Sequence, residues 1–208
     1  MGEDIYLYAI NLEETILYYK GKIINLTEFP PIGMRTILPE MAYRDVDGDG
    51  ERELVIIIES GSGTGVSIRN LYIILFDDDG NYSIAYLLGS NVHKWLTEPI
   101  VFEVQEETRN LLIEFAGQSF IFESLIYEDS ELVDVGTASV AIFEFERSAI
   151  RVIVGVAKHY EAMRPIYIVN IEAIVNFDGV SFEFSDFELK PLRHGVNIIN
   201  QLSPLGEC

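Results

Sequence analysis

The sequence predicts an all-β fold of antiparallel sheets with at most short helices. Three observations carry this. The chain holds 12 Phe and 11 Tyr among 208 residues, with long Ile/Val runs, a palette that favours strands. The apolar residues fall in short blocks or alternate with polar ones, as strands require. Asp-Gly and Gly-rich turn signals separate the blocks. Nearly half of the residues are hydrophobic, which is enough for a sizeable core and excludes a disordered chain.

In chain order, Thr15–Tyr19, Lys20-Gly21-Lys22 and Ile23–Phe29 read as strand, turn and strand. A short helix over Leu12–Tyr19 is the alternative, because Leu12 and Ile16 have helical spacing. Phe29-Pro30-Pro31-Ile32-Gly33 breaks any regular element. Leu54–Ile58 is a continuous apolar run, expected of a strand buried on both faces. Leu71–Phe76 is similar, followed by an Asp77–Asn81 turn and a return strand over Tyr82–Leu88. A short helix is expected near His93–Leu96. Leu111–Phe115 and Phe120–Glu123 flank a hairpin turn at Ala116-Gly117-Gln118.

Ala141–Glu146 alternates, with Phe143 and Phe145 on one face and Glu144 and Glu146 on the other. Ile150–Val156 and Ile166–Val175 continue the strand pattern, with a loop at Lys158–Arg164 between them. In Ser181–Leu189, Phe182 and Phe184 share a face from which Phe187 and Leu189 are displaced by one residue. That shift predicts a bulge near Ser185-Asp186.

The whole chain, 1–208, reads as one β-rich domain. A weak internal repeat relates 45–88 to 144–189, each running through strands to an Asp-Gly turn and a further strand. The spacing is compatible with units of about 40–50 residues, so propeller-like blades are expected, with a β-sandwich as the alternative.

A formal net charge of −20 repels phosphate backbones, so no nucleic-acid partner is expected. The one cysteine, Cys208, allows no disulfide framework and no Cys-based zinc site within one chain. No run approaches the roughly 18 apolar residues of a membrane span. The start, Met1-Gly2-Glu3-Asp4, has no basic end leading into an apolar stretch. If the protein is exported, its leader is absent from this sequence.

The strongest motif is Asp45-Val46-Asp47-Gly48-Asp49-Gly50-Glu51-Arg52-Glu53-Leu54. Calcium takes six to eight hard oxygen ligands at flexible geometry. Asp45, Asp47 and Asp49 occupy positions 1, 3 and 5 of a calcium loop. Gly50 permits the sharp turn. Glu51 would offer its backbone carbonyl and Glu53 a carboxylate. Ile56 stands where an EF-hand has its bidentate Glu, and a strand follows instead of a helix. The reading is a structural calcium loop feeding a strand.

The pattern Asp-x-Asp-Gly-Asp-Gly-x-x-Glu-Leu followed by a β run resembles the FG-GAP/VCBS-type repeat of integrin-like propellers and many exported bacterial proteins. The stretch from Ile37-Leu38-Pro39 through Asp45–Ile58 to Gly61–Ile68 also resembles a group of secreted or lipid-anchored bacterial proteins of unknown function. The resemblance spans residues 36–76 and has a single clear copy, where propellers carry several. It implies a scaffold, adhesion or ligand-binding module, outside the cell or anchored at a bacterial surface, with a protein or glycan ligand.

Ser60–Ser67 is the other distinctive stretch, and Ser62, Gly63, Thr64 and Gly65 form a candidate ligand loop. Alternate glycines let a backbone approach a partner, yet the residues of a P-loop are missing. The favoured reading is a flexible or tightly packed inter-strand connection, because Gly/Ser clusters mainly mark loops. A straight Leu54–Ile58 strand would hold it and the metal loop at opposite ends.

His93, His159 and His194 form no metal-binding pattern, and no nucleophile motif is present. Three functions follow: a non-catalytic calcium-binding scaffold or ligand-binding module, a carboxylate-dependent hydrolase acting on glycans, or a subunit pairing through a sheet edge. Two converging carboxylates with raised pKa values would favour the enzyme. A flat aromatic patch would favour binding.

Overall fold

A computed structural model describes residues 4–9, 14–27, 29, 37–77, 79–97, 100–107, 110–115, 118–122, 132–161, 165–192 and 198–202. The fold is mostly strand, with antiparallel sheets and one helix among these residues. The strands are β1 Ile5–Ala9, β2 Thr15–Tyr19, β3 Lys22–Asn25, β4 Glu40–Arg44, β5 Glu53–Gly63, β6 Val66–Phe76 and β7 Tyr82–Leu87, followed by helix α1 Gly89–Thr97. Then come β8 Val101–Val104, β9 Leu111–Phe115, β10 Gln118–Phe122, β11 Leu132–Glu146, β12 Ala149–Tyr160, β13 Ile166–Phe177, β14 Phe182–Pro191 and β15 Ile198–Leu202.

They form three sheets. The first has the order β1-β2-β3 and the second β15-β10-β9-β8. The largest runs β14-β13-β12-β11-β6-β5-β4, with β7 also paired to β6. Two four-stranded antiparallel meanders, β4–β7 and β11–β14, make up this long sheet. They join where β11 runs parallel to the start of β6, with Val140 opposite Ser67 and Ala141 opposite Ile68. The segments 45–88 and 144–189 therefore belong to one continuous hydrogen-bonded sheet.

β5 and β6 are buried on both faces because a core lies on each side. Leu54 to Ile58 are at most 2% exposed. Val55, Ile57, Leu71 and Ile73 face a cluster shared with Val92 and Leu96 of α1 and with Phe143, Val152 and Val175 of the second meander. Leu54, Ile56, Tyr72 and Ile74 face Leu17, Tyr19 and Ile24 of the small N-terminal sheet. The four-stranded sheet packs Leu111, Ile113 and Phe122 on Val156, Val169 and Ile171.

Several local expectations are met. β2 and β3 are joined by Lys20-Gly21, both at positive φ (47° and 85°), in a two-residue hairpin that pairs Tyr19 with Lys22. Positive φ at both central positions matches the right-handed twist of the strands. The bulge in β14 is present. Glu172 faces Glu188 while Ile174 faces Ser185, and Asp186 has a φ of 49°. The helix expected around His93 is α1, and Asn70 Oδ1 caps it by accepting from Gly89 N at 3.1 Å.

Others are corrected. Thr15–Tyr19 is a strand, so the helical alternative does not form there; pairing on both sides with β1 and β3 overrides the weak helical spacing. Lys158 to Tyr160 continue β12 rather than opening a loop. The strands β1, β4, β8 and β15 have no counterpart in the sequence reading. Pro30–Gly33, the 116–117 turn, His194 and Cys208 lie outside the described residues.

Candidate metal centre

The Asp45–Arg52 loop links edge strand β4 to β5. Its conformation follows from short acidic side chains capping the backbone just ahead of them. Gly48 N donates to Asp45 Oδ1 at 2.7 Å and Gly50 N to Asp45 Oδ2 at 3.1 Å. Asp49 N donates to Asp47 Oδ1 at 3.1 Å, and Glu51 N to Asp49 Oδ1 at 2.7 Å. Gly48 and Gly50 take φ of 82° and 94°, which a residue with a Cβ resists.

This winding brings one carboxylate oxygen of each of Asp45, Asp47 and Asp49 within 4.8 Å of the others. Two oxygens on one calcium at 2.3–2.6 Å can be no more than about 5 Å apart, so the three fit a single ion. Without a cation, each pair repels by about 1 kcal/mol even at the dielectric of water.

Glu51 and Glu53 behave differently. Glu51 has an exposed side chain, leaving its carbonyl as the group it would bring to an ion. Glu53 is not among the three converging groups. It is only 4% exposed and its Oε2 accepts from Val46 N at 2.8 Å, closing the loop. Burial, followed by the charges of Asp47, Asp49 and Asp45, pushes its carboxyl above the ordinary range, partly opposed by the Val46 hydrogen bond.

The loop also abuts the second meander. Arg44, just ahead of it, donates to the carbonyls of Arg147 and Ala149 at 3.0 Å each, with its guanidinium 4.9 Å from the Phe145 ring centre. A Cβ on Gly179 would lie 3.1 Å from Asp47 Oδ2. A cavity of 370 Å³ separates the loop from the ends of β12 and β13. Arg44 carries no local motif, so nothing in the sequence singled it out.

The Gly/Ser stretch is largely strand. Ser62 and Gly63 belong to β5, opposite Ser67 and Val66, and only Thr64-Gly65 turns. Eleven residues of β5 at about 3.3 Å each hold this turn about 35 Å from the metal loop, so the two are separate. The Gly65 carbonyl is occupied, accepting from Tyr167 Oη at 2.5 Å.

An aromatic face is present elsewhere. Tyr6 and Tyr8 of β1 are 47% and 52% exposed, and Ile23 of β3 is 73% exposed. Tyr6 lies 6.1 Å from Tyr8 and 5.9 Å from Tyr18, ring centre to ring centre, on the side of the small sheet away from its core.

No protein-family model, no curated protein and no solved structure matches the chain.

Proposed function

We propose that this protein is a non-catalytic, calcium-stabilised scaffold or ligand-binding module of the FG-GAP/VCBS type, working outside a bacterial cell or at its surface. The observation that carries the reading is the convergence of Asp45, Asp47 and Asp49, each oriented by backbone N–H groups of its own loop. Hard oxygens in a flexible, partly exposed loop suit calcium better than magnesium, which demands near-ideal octahedral geometry and sheds water reluctantly. The exposed tyrosine face of the small sheet supports binding as the role of the module.

In this reading calcium holds the loop from which β5 starts, and β5 lies between two cores. The ion thus stabilises the fold without switching it, since no flanking helix pair is present to open. Calorimetry on chelator-stripped protein tests this. Calcium heat is expected with a Kd of about 0.1–1 mM, as in extracellular modules, weaker for magnesium and abolished by Asp47→Ala. Absence of calcium heat from folded protein overturns the reading.

A further inference from the structure

We propose that a second site, the cleft between the β2–β3 turn and the metal-loop end of the long sheet, binds a neutral polyhydroxylated ligand of mono- or disaccharide size. The cleft has a volume of 320 Å³, at the small end of the roughly 300–1,000 Å³ of ligand pockets. Four chain segments meet there: Tyr19, Lys20, Lys22 and Ile24 of the β2–β3 hairpin, Tyr43 on β4, Glu51-Arg52 at the end of the acidic loop, and Phe76, Asp77, Asp79 and Gly80 at the end of β6 and the turn after it.

Its apolar wall is aromatic. Tyr19 stacks on Phe76 at 3.9 Å with an interplanar angle of 8°, and Tyr43 meets Tyr19 edge-on at 6.0 Å. Tyr19 is buried behind them, so the half-buried Phe76 and Tyr43 are the rings that offer rigid surface to the C–H face of a sugar, Tyr43 with a polar tip at the rim. The tips converge here. Tyr19 Oη and Tyr43 Oη are 2.9 Å apart, and Lys20 Nζ donates to Tyr43 Oη at 3.5 Å. Lys22 Nζ donates to the carbonyls of Asp79 and Gly80 at 3.3 and 3.4 Å, tying the hairpin to the β6–β7 turn across the cleft.

The charges choose the ligand class. Lys20, Lys22 and Arg52 line the cleft against Glu51, Asp77 and Asp79. The chain has 14 basic and 34 acidic residues, so three of each is a strong local enrichment in cations. The balance leaves no net pull on an anion or a cation. What it supplies is donors and acceptors side by side, and a hydroxyl group, both donor and acceptor, uses both. The inference rests on the ligand-binding part of the proposed function but not on the metal: none of the three converging aspartates lines the cleft, which shares only Glu51 with the groups proposed to hold an ion.

Saturation-transfer NMR tests it, with methyl glucoside, methyl galactoside, cellobiose and lactose as probes and glucuronate and glucosamine as charged counterparts. Probes at about 10 mM exceed a millimolar Kd. Transfer to at least one neutral sugar is expected. Lys20→Gln and Asp79→Asn, both surface changes that preserve size, should each weaken it by about 2- to 10-fold, the worth of one hydrogen bond. Lys94→Gln, at an exposed position of α1, should leave it unchanged.

No transfer to any neutral probe from folded protein overturns the proposal. So does tighter binding of glucuronate or glucosamine, or binding lost in a Tyr6→Ser/Tyr8→Ser variant and kept in the cleft variants, which would put the sugar on the outer tyrosine face instead. Repeating the titration with chelator separates the two readings. Sugar binding without calcium heat supports the cleft and sinks the calcium scaffold, and calcium heat without sugar binding does the reverse.

Discussion

The Tyr167 hydroxyl donates to the Gly65 carbonyl at 2.5 Å, across 102 positions of sequence. It fastens the turn of the first meander to β13 of the second. Arg44 makes the corresponding connection at the other end of the long sheet, through the carbonyls of Arg147 and Ala149. The two meanders are thus clasped at both ends, around the core they share.

Tyr167 can occupy its position because Gly155 leaves room for it. A Cβ at Gly155 would lie 2.7 and 2.8 Å from Tyr167 ring carbons and 3.2 Å from Val140 Cβ. Gly155→Ala should destabilise by about 1–3 kcal/mol through overpacking. In a Tyr167→Ala background the same change should cost clearly less, a coupling of the kind expected for residues in contact. Tyr167→Phe, which removes only the hydroxyl, should cost about 1 kcal/mol. Urea denaturation of the four variants against wild type measures all three; additive costs at positions 155 and 167 would contradict the contact.

Gly50 isolates backbone strain in the acidic loop. Its φ is 94° and an added Cβ would meet nothing within 4 Å. Gly50→Ala should therefore cost about 1–2 kcal/mol from the left-handed backbone alone. Calcium affinity should fall with it, since the loop must keep this conformation to align its carboxylates. Melting in chelator and in calcium separates the two effects.

Glu172 on β13 anchors a row of charges across the second meander. Its side chain is 9% exposed and accepts from Arg151 at 2.9 Å and Lys190 at 2.7 Å. Arg151 also pairs with Glu146, and Lys190 with Glu188. Glu172→Gln keeps the volume and removes the charge. The cost should be about 1–3 kcal/mol, below the 3–5 typical of an orphaned buried ion, because both cations keep a second carboxylate. Chemical denaturation checks the magnitude.

His93 on α1 supplies a pH dependence. Burial pushes its imidazole below the ordinary value, about 6.5, so the folded protein favours the neutral ring. Between the lowered value and 6.5 the unfolded chain binds more protons, and stability must rise with pH across that window. Wild-type stability should therefore fall as pH drops below about 6.5. His93→Gln should flatten this part of the profile. Equal slopes in the two proteins would exclude His93 as the source.

Much of the architecture is legible from local sequence. Leu54–Ile58 announces a doubly buried strand because no polar residue interrupts it, and two cores cover it. Phe184 and Phe187 betray the β14 bulge because a side-chain period of two tolerates no extra residue without a change of face. The aspartate spacing at 45, 47 and 49 specifies its own loop, since each carboxylate caps a backbone N–H two or more residues ahead.

Edge strand β4 escapes that reading. Glu40–Arg44 is short and half-exposed, so its pattern is weak, and only pairing with β5 makes it a strand. Position 62–65 shows the converse. Glycine and serine signal a free loop, yet cross-strand pairing claims Ser62 and Gly63, and Tyr167 claims the Gly65 carbonyl.

The sugar-sized cleft was beyond sequence altogether, because Lys20, Tyr43, Arg52 and Asp79 meet only after two sheets have packed. Side-chain period and turn chemistry act over a few residues and are written locally. Convergence depends on which faces bury each other, a property of the assembled sheets alone.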